Sequence, residues 1–278
     1  MGLPSYSVLM SVYAKETPGN LRAAIDSVLG QTAWPDEFLI VADGPLTEGL
    51  DAVLEDYISK YPDLFTLVRL PNNSGLHVAL RAGLDAVRNE FIMRMDSDDI
   101  ATAVRAEEQL IAFQNDPGLG CVGSNVAEFV GAPENVVAHV SLPLSHEEMT
   151  RFAVRRNPMR HPSMMYRLSA VREAGGYRDV PYFEDWDLVL RLIDSGAHLR
   201  NLPDELVLMR VSSDFYQRRG GFSYLRHTFR FLSLCLGEGR MTRVQYARAA
   251  VERTIQCLMP NSLRDWVYRF LLRTDANC

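Results

Sequence analysis

The sequence predicts an α/β protein: a mostly parallel central sheet flanked by helices, with a helical, basic C-terminal extension. Three observations predict it. Across the first hundred residues, β-rich apolar runs alternate with segments whose apolar residues recur at helical spacing. Two polar loops, Asp43-Gly44 and Asp96-Ser97-Asp98-Asp99, follow apolar strands directly, where open parallel sheets bind ligands. The charge is also uneven. Residues 210–278 hold 12 arginines, no lysine and 5 acids, a balance of +7 within a chain whose net charge is −6.

The elements follow in order. Residues 6–13 (YSVLMSVY) read as a strand, and Leu21, Ile25, Val28 and Leu29 mark a helix over 18–29. Residues 37–42 form the second strand, stopped by Asp43-Gly44-Pro45, and Leu50, Val53, Leu54, Tyr57 and Ile58 mark the second helix. Residues 64–70, 76–87 and 90–95 read as strand, helix and strand. Beyond residue 100 the alternation loosens: a helix over 103–115, strands over 120–130 and 136–142 with antiparallel pairing expected, and a helix over 145–155 capped by Ser145. A short strand over 163–166 and a helix over 185–195 complete this part. In the tail, Val244, Ala247, Val251, Ile255 and Leu258 make one apolar stripe. Leu263, Trp266, Val267, Phe270 and Leu271 make another, after a break at Pro260 and a capping box from Ser262 and Asp265. Two readings of these stripes stand. They pack on their own domain, or they lie in a membrane interface with arginines on anionic lipid and Trp266 at the headgroups.

The length of 278 residues and 47% hydrophobic content exclude disorder and suffice for a sizeable core. No run of 18 apolar residues predicts a membrane span. The start lacks a basic region before its apolar run, so no signal peptide is read and a cytoplasmic location is expected. The four cysteines show no CxxC spacing and are expected to be thiols. GxGxxG, the P-loop pattern, HExxH and GxSxG are all missing, which argues against dinucleotide binding, NTPase, zinc-protease and serine-hydrolase chemistry. The acidic body does not suit nucleic acid.

Several residues can carry chemistry. Three carboxylates in Asp96-Ser97-Asp98-Asp99 repel one another unless a cation neutralises them, and magnesium or manganese bridging to a diphosphate suits hard oxygen ligands. Alternate positions direct Asp98 toward metal and Asp96 toward a nucleoside; the competing reading is an acidic helix cap. Asp43 can accept hydrogen bonds from a base or ribose, or simply make an Asp-Gly-Pro turn. Asn73-Ser74-Gly75 opens a helix whose amides can face a phosphate, with His77 and Arg81 on one face, though a plain turn and cap explains the side chains better. In Phe183-Glu184-Asp185-Trp186-Asp187, a carboxylate near the metal can act as general base, or the acids merely complement the helix dipole. His161 is a structural or an acceptor-site histidine.

Taken together, these stretches resemble bacterial family 2 glycosyltransferases of the GT-A fold, most closely the non-processive enzymes of surface-polysaccharide assembly, including the amylovoran type. The matching segments are SVLMSVYAKE (7–16), AIDSVLGQT (24–32), PDEFLIVADGPLTEGLD (35–51), NNSGLHVALRAGL (72–84), FIMRMDSDDIA (91–101), NPMRHPSMMYR (157–167), AGGYRD (174–179), FEDWDLVLRL (183–192) and RRGG (218–221). The resemblance implies that Val12, Tyr13 and Glu16 border the nucleoside and that Asp43 reads the base. It implies that Asp96 and Asp98 form the DxD, with Asp98 the metal ligand, and that Asp185 is the catalytic base. His161, Glu184 and Trp186 would line the acceptor side. Arg218 and Arg219 would close on the diphosphate. Arg81 stands where many relatives carry Asn. A QxxRW motif is missing, as in non-processive enzymes.

The expected activity is therefore inverting transfer of one sugar from a nucleotide diphosphate sugar, UDP favoured, to a hydroxyl of a glycan or lipid-linked acceptor, with Mn or Mg. The expected organisation is a catalytic domain over 1–215, nucleotide-sugar half 1–100 and acceptor half 101–215, followed by the extension 216–278. Two alternatives remain at this point. A sugar-1-phosphate nucleotidyltransferase would need a Gly-rich loop bearing lysine, whereas Lys15 and Lys60 are the only lysines and neither lies in one. A non-catalytic nucleotide-sugar or glycan-binding subunit would not need the acids to be intact. A peripheral position on the inner membrane face would fit the basic tail.

Overall fold

The computed structural model describes residues 2–211 and 221–258. Strands β1 (Tyr6–Val12), β2 (Glu37–Ala42), β3 (Phe65–Arg69) and β4 (Phe91–Asp96) alternate with helices α1 (Pro18–Leu29), α2 (Glu48–Lys60) and α3 (Leu76–Ala86). β1 pairs in parallel with both β2 and β4, and β2 with β3. Every residue of β2 is buried, as expected of a parallel strand covered on both faces. The helix starts are written locally: Thr17 and Thr47 side chains accept from the Asn20 and Leu50 amides, and Pro18 opens α1.

The second half comprises β5 (Ile100–Ala101), α4 (Arg105–Asn115), β6 (Leu119–Phe129), β7 (Val136–Val140), α5 (His146–Ala153), a 3-10 turn (His161–Ser163), β8 (Met165–Arg167), α6 (Leu168–Glu173), α7 (Glu184–Asp194) and β9 (His198–Arg210). Helices α8 (Gly221–Gly237) and α9 (Arg243–Leu258) follow. The strands form one sheet in the order β3-β2-β1-β4-β8-β6-β9-β5, with β7 on β6. The antiparallel β6–β7 pair and the Ser145–Glu148 capping box agree with the sequence.

Two departures have physical reasons. β9 was not expected, because Pro203-Asp204-Glu205 interrupts its apolar pattern. The register with β6 jumps there, from Ser124 opposite Leu202 to Asn125 opposite Glu205, so the polar residues are accommodated in a bulge. The strand expected at 163–166 begins later, at Met165, because Pro162 favours the preceding 3-10 turn. The short α6 was also unforeseen, while α8 and α9 fall in the extension expected to be helical.

Two apolar layers sandwich the sheet. On one side Val8, Met10 and Ile40 pack with Leu21 and Ile25 of α1, Leu54 of α2, and Leu110 and Phe113 of α4. On the other, Leu9, Leu39 and Val41 pack with Leu80 and Leu84 of α3 and Leu188 and Leu192 of α7. A third cluster joins Phe183, Trp186 and Leu190 to Phe231, Leu232 and Cys235 of α8 and to Met241. The α8 portion of the tail therefore packs inward. The stripe expected over 263–271 lies outside the described residues, as do Arg218 and Arg219. Among the described residues, no helix is long and apolar enough to cross a membrane.

Candidate active site

The site is built at the carboxyl end of β4. Arg94 and Asp96 are two residues apart in this strand, so the pleat turns both to the same face. Arg94 is 1% exposed and is ion-paired to Asp96. Beyond the strand, Asp98 and Asp99 fold back so that carboxylate oxygens of Asp96, Asp98 and Asp99 lie within 4.8 Å of one another. Arg210, at the end of β9, fixes the turn: its amide donates to Asp99 Oδ1 (2.7 Å) and its Nε to the Asp98 carbonyl (3.0 Å).

The electrostatics follow from this crowding. Burial, then the charges of Asp96 and Glu16, push Asp98 up to about 7. Burial and the neighbouring Asp96 and Asp98 hold Asp99 well above the usual carboxylate range. Arg94 pairs with Asp96, and the buried Arg105 guanidinium lies in the field of Asp96 and Asp99, yet Asp98 and Asp99 stay pushed up, so the three carboxylates still repel one another. An all-oxygen donor set of mutually repelling carboxylates fits a hard divalent cation. Asp96 and Asp98 were expected here. Asp99 and Arg94 were not assigned roles, although an arginine inside the apolar run FIMRM is itself a signal, since buried arginines are rare unless paired.

The loops after β1 and β2 border the cluster. Val12 is the buried last residue of β1, and Tyr13, just beyond it, is exposed. Glu16 Oε2 accepts from Ser97 Oγ (3.2 Å) while Oε1 accepts from the Thr17 amide (2.7 Å), tying this loop to the acidic turn. Asp43 donates its amide to Val12 O (2.8 Å). Its Oδ1 accepts from the Ser74 amide (2.7 Å) and Oδ2 from the Gly75 amide (3.0 Å). The Ser74 and Gly75 amides, just before α3, are thus taken by Asp43 and cannot also face a phosphate. The close approach requires Gly44, whose φ is +87° and where a Cβ would come within 2.5 Å of the Asn73 nitrogen. Each Asp43 oxygen accepts one of these bonds and has the capacity for a second. His77 lies 3.9 Å from Asp179, and Arg81 is exposed on α3.

The first turn of α7 supplies the remaining acids, and each has a different surrounding. Burial pushes Glu184 up to about 7, with Asp185 and Asp96 adding to the rise and Arg94 opposing it, which puts Glu184 in the electrostatic reach of the cluster. Asp185 Oδ2 accepts from Asn157 Nδ2 (2.8 Å) and Oδ1 from the Trp186 amide (2.7 Å). Asn157 was missed, although it opens the matched segment 157–167. Asp187 is fully buried between Arg178 (Nη2, 2.5 Å) and Arg191 (Nη2, 2.9 Å), with Arg240 at 3.6 Å. Tyr182, just before this turn, has φ 70°, an unusual backbone for a residue with a side chain.

Two residues expected on the acceptor side sit deeper than that. Trp186 is 7% exposed, donates Nε1 to the Ala153 carbonyl (2.8 Å) and packs on Phe231 of α8. His161 is buried with Nε2 2.8 Å from Tyr177 Oη; burial, then the nearby Arg94 charge, keep its pKa well below the ordinary value. It is a neutral group beneath the site.

The model of "Glycosyl transferase family 2" matches residues 7–175. An uncharacterized glycosyltransferase of Haemophilus influenzae is 35% identical over 96% of this chain and 99% of its own. The amylovoran biosynthesis glycosyltransferase AmsE of Erwinia amylovora is 34% identical over 95% of this chain and 97% of its own. The UDP-Gal:alpha-D-GlcNAc-diphosphoundecaprenol beta-1,3-galactosyltransferase of Escherichia coli is 29% identical over 97% of each. Among solved structures, S. aureus TarS 1-349 in complex with UDP-GlcNAc superimposes with a TM-score of 0.66 at 14% identity, covering 95% of this chain and 79% of that one. The mannosyltransferase PcManGT from Pyrobaculum calidifontis, in complex with GDP-Man and Mn2+, gives 0.63 at 16% identity, covering 92% and 71%. These two share the fold. With the model matched over more than half its length and two relatives above 30% identity along nearly all of it, the chain belongs to glycosyl transferase family 2 and has a GT-A-like fold.

Proposed function

We propose that the protein is a metal-dependent, inverting glycosyltransferase that moves a single sugar from a UDP-sugar onto a hydroxyl of a lipid-linked glycan during surface-polysaccharide assembly. The observation that carries this reading is the grouping of Asp96, Asp98 and Asp99 at the end of β4, with Glu184 of α7, next to Asp185, in its electrostatic reach. Asp98 and Asp96 would hold a divalent ion, with Asp99 behind them. When bound, such an ion offsets the charge that develops on the departing diphosphate. The E. coli relative's named donor and lipid-diphosphate acceptor support UDP and a lipid-linked substrate.

The chain's own residues do the rest. Asp43, Val12 and Tyr13 receive the nucleoside at the ends of β1 and β2. Asp185, oriented by Asn157, takes the proton of the acceptor hydroxyl as its oxygen attacks the anomeric carbon and the bond to the diphosphate breaks. One carboxylate base suffices for a single displacement, so configuration inverts. Family membership supports transfer over nucleotidyl transfer, and turnover separates an enzyme from a binding subunit.

Calorimetry with UDP and Mn2+ tests the site. Asp98→Ala should lose most of the metal-dependent affinity; undiminished affinity would remove Asp98 from the metal. NMR of the product anomer tests the stereochemistry, because retained configuration would contradict a single displacement.

A further inference from the structure

Helix α9 has one covered face and one bare one. Tyr246, Ala249 and Ala250 pack into the cluster shared with α7 and α8, and Cys257 is buried. On the other side Val244 is 78% exposed, Val251 60%, Ile255 58% and Leu258 50%, with Ala247 exposed among them. Their spacing aligns them in one stripe about 21 Å long. Isolated exposed apolar residues need no explanation, but a continuous stripe on a helix whose other face is already packed does.

The surrounding charge says what covers it. Residues 221–258 carry six arginines against Glu238 and Glu252. Glu238 is engaged by Arg178 and Arg240, and Glu252 by Arg248, within the protein. Arg226, Arg230 and Arg243 are exposed and form no ion pair with another described residue. Arg243, the residue before Val244, borders the stripe, so two facing copies would bring its charge toward the copy's. The stripe also offers on the order of 400 Å², short of the roughly 800 Å² per partner of a stable interface. An anionic lipid surface complements both features: the stripe enters the acyl boundary and the arginines meet the headgroups. We infer that α9 is an interfacial anchor, seating its 244–258 stripe in an anionic membrane surface without crossing it. This does not depend on the proposed donor, metal or mechanism.

Vesicle co-sedimentation of the full chain tests it, with vesicles rich in phosphatidylglycerol and vesicles of phosphatidylcholine alone, at low and high salt. The unaltered protein should sediment with the anionic vesicles at low salt, and at least about tenfold less with neutral vesicles or at high salt, where screening weakens the attraction. V251D/I255D changes only exposed positions, so it should keep its circular dichroism and lose about tenfold in partitioning. R226Q/R243Q should bind more weakly and with less salt dependence. Three results overturn the inference: no binding to anionic vesicles at low salt, binding undiminished in V251D/I255D, or a dimer in solution that V251D/I255D dissociates, which would assign the stripe to a second copy.

Discussion

Asp185 and Glu184 are adjacent acids with different environments, and the difference can be tested. Asp185 is held by Asn157 and the Trp186 amide, which fixes its carboxylate. Glu184 lies in the field of Asp96 and Arg94 and is pushed up to about 7. If Asp185 is the base, Asp185→Asn should keep UDP affinity and lose about a hundredfold to ten-thousandfold in kcat. Asn157→Ala should lose about tenfold to a hundredfold in kcat with little change in donor KM, because it misplaces the base without removing it. Glu184→Gln should be milder than Asp185→Asn. The reverse order would transfer the base assignment to Glu184. At this scale the sequence exposes what is locally dense: Asp96 and Asp98 stand in an acidic run after an apolar strand. Arg94 is marked only as a charge inside the apolar run FIMRM, and Asn157 is not legible at all, because its partner Asp185 comes from α7.

At the scale of elements, Asp187 shows how a functional-looking motif divides. The acids of FEDWD differ in surroundings by helical position: Glu184 reaches toward the site, whereas Asp187 turns inward to Arg178, Arg191 and Arg240. It joins α7 to the segment between α8 and α9. Removing one member of a buried charge group leaves the others unpaired, so Asp187→Ala should cost about 3–5 kcal/mol in urea unfolding while any loss of donor binding follows the loss of fold. A stable Asp187→Ala with specifically lost transfer would place it in the chemistry instead. The elements themselves divide likewise. Strands β1 to β4 and helices α1 to α3 were legible because their periods are clean and their turns carry Gly, Pro and Asp. β9 was not, because its pairing with β6 tolerates a bulge at Pro203-Asp204-Glu205 that a period-2 pattern cannot represent. The Asp43 bond to the Ser74 and Gly75 amides was equally invisible, since it spans separate loops.

At the scale of the whole molecule, apolar packing crosses the expected boundary near residue 215. A chain ending there would keep every strand of the sheet and both acid groups of the site. It would nevertheless uncover Phe183, Trp186 and Leu190, which are buried against Phe231, Leu232 and Cys235 of α8. It would also remove Arg240 from Asp187 and Glu238 from Arg178. Each fully buried large apolar side chain contributes about 1.5–3 kcal/mol, and a domain of this kind has only about 5–15 kcal/mol in total. Losing several such burials at the base of α7 consumes most of that margin, and α7 carries Glu184 and Asp185. Residues 1–215 expressed alone should therefore be poorly soluble or melt far below the full chain in a thermal scan. UDP with Mn2+ should raise the melting temperature of the full chain, as a ligand bound only by the folded state does, and should raise that of the fragment little. A fragment that melts with the full chain and responds equally to UDP and Mn2+ would show that α8 and α9 are an appendage, with the catalytic unit complete without them.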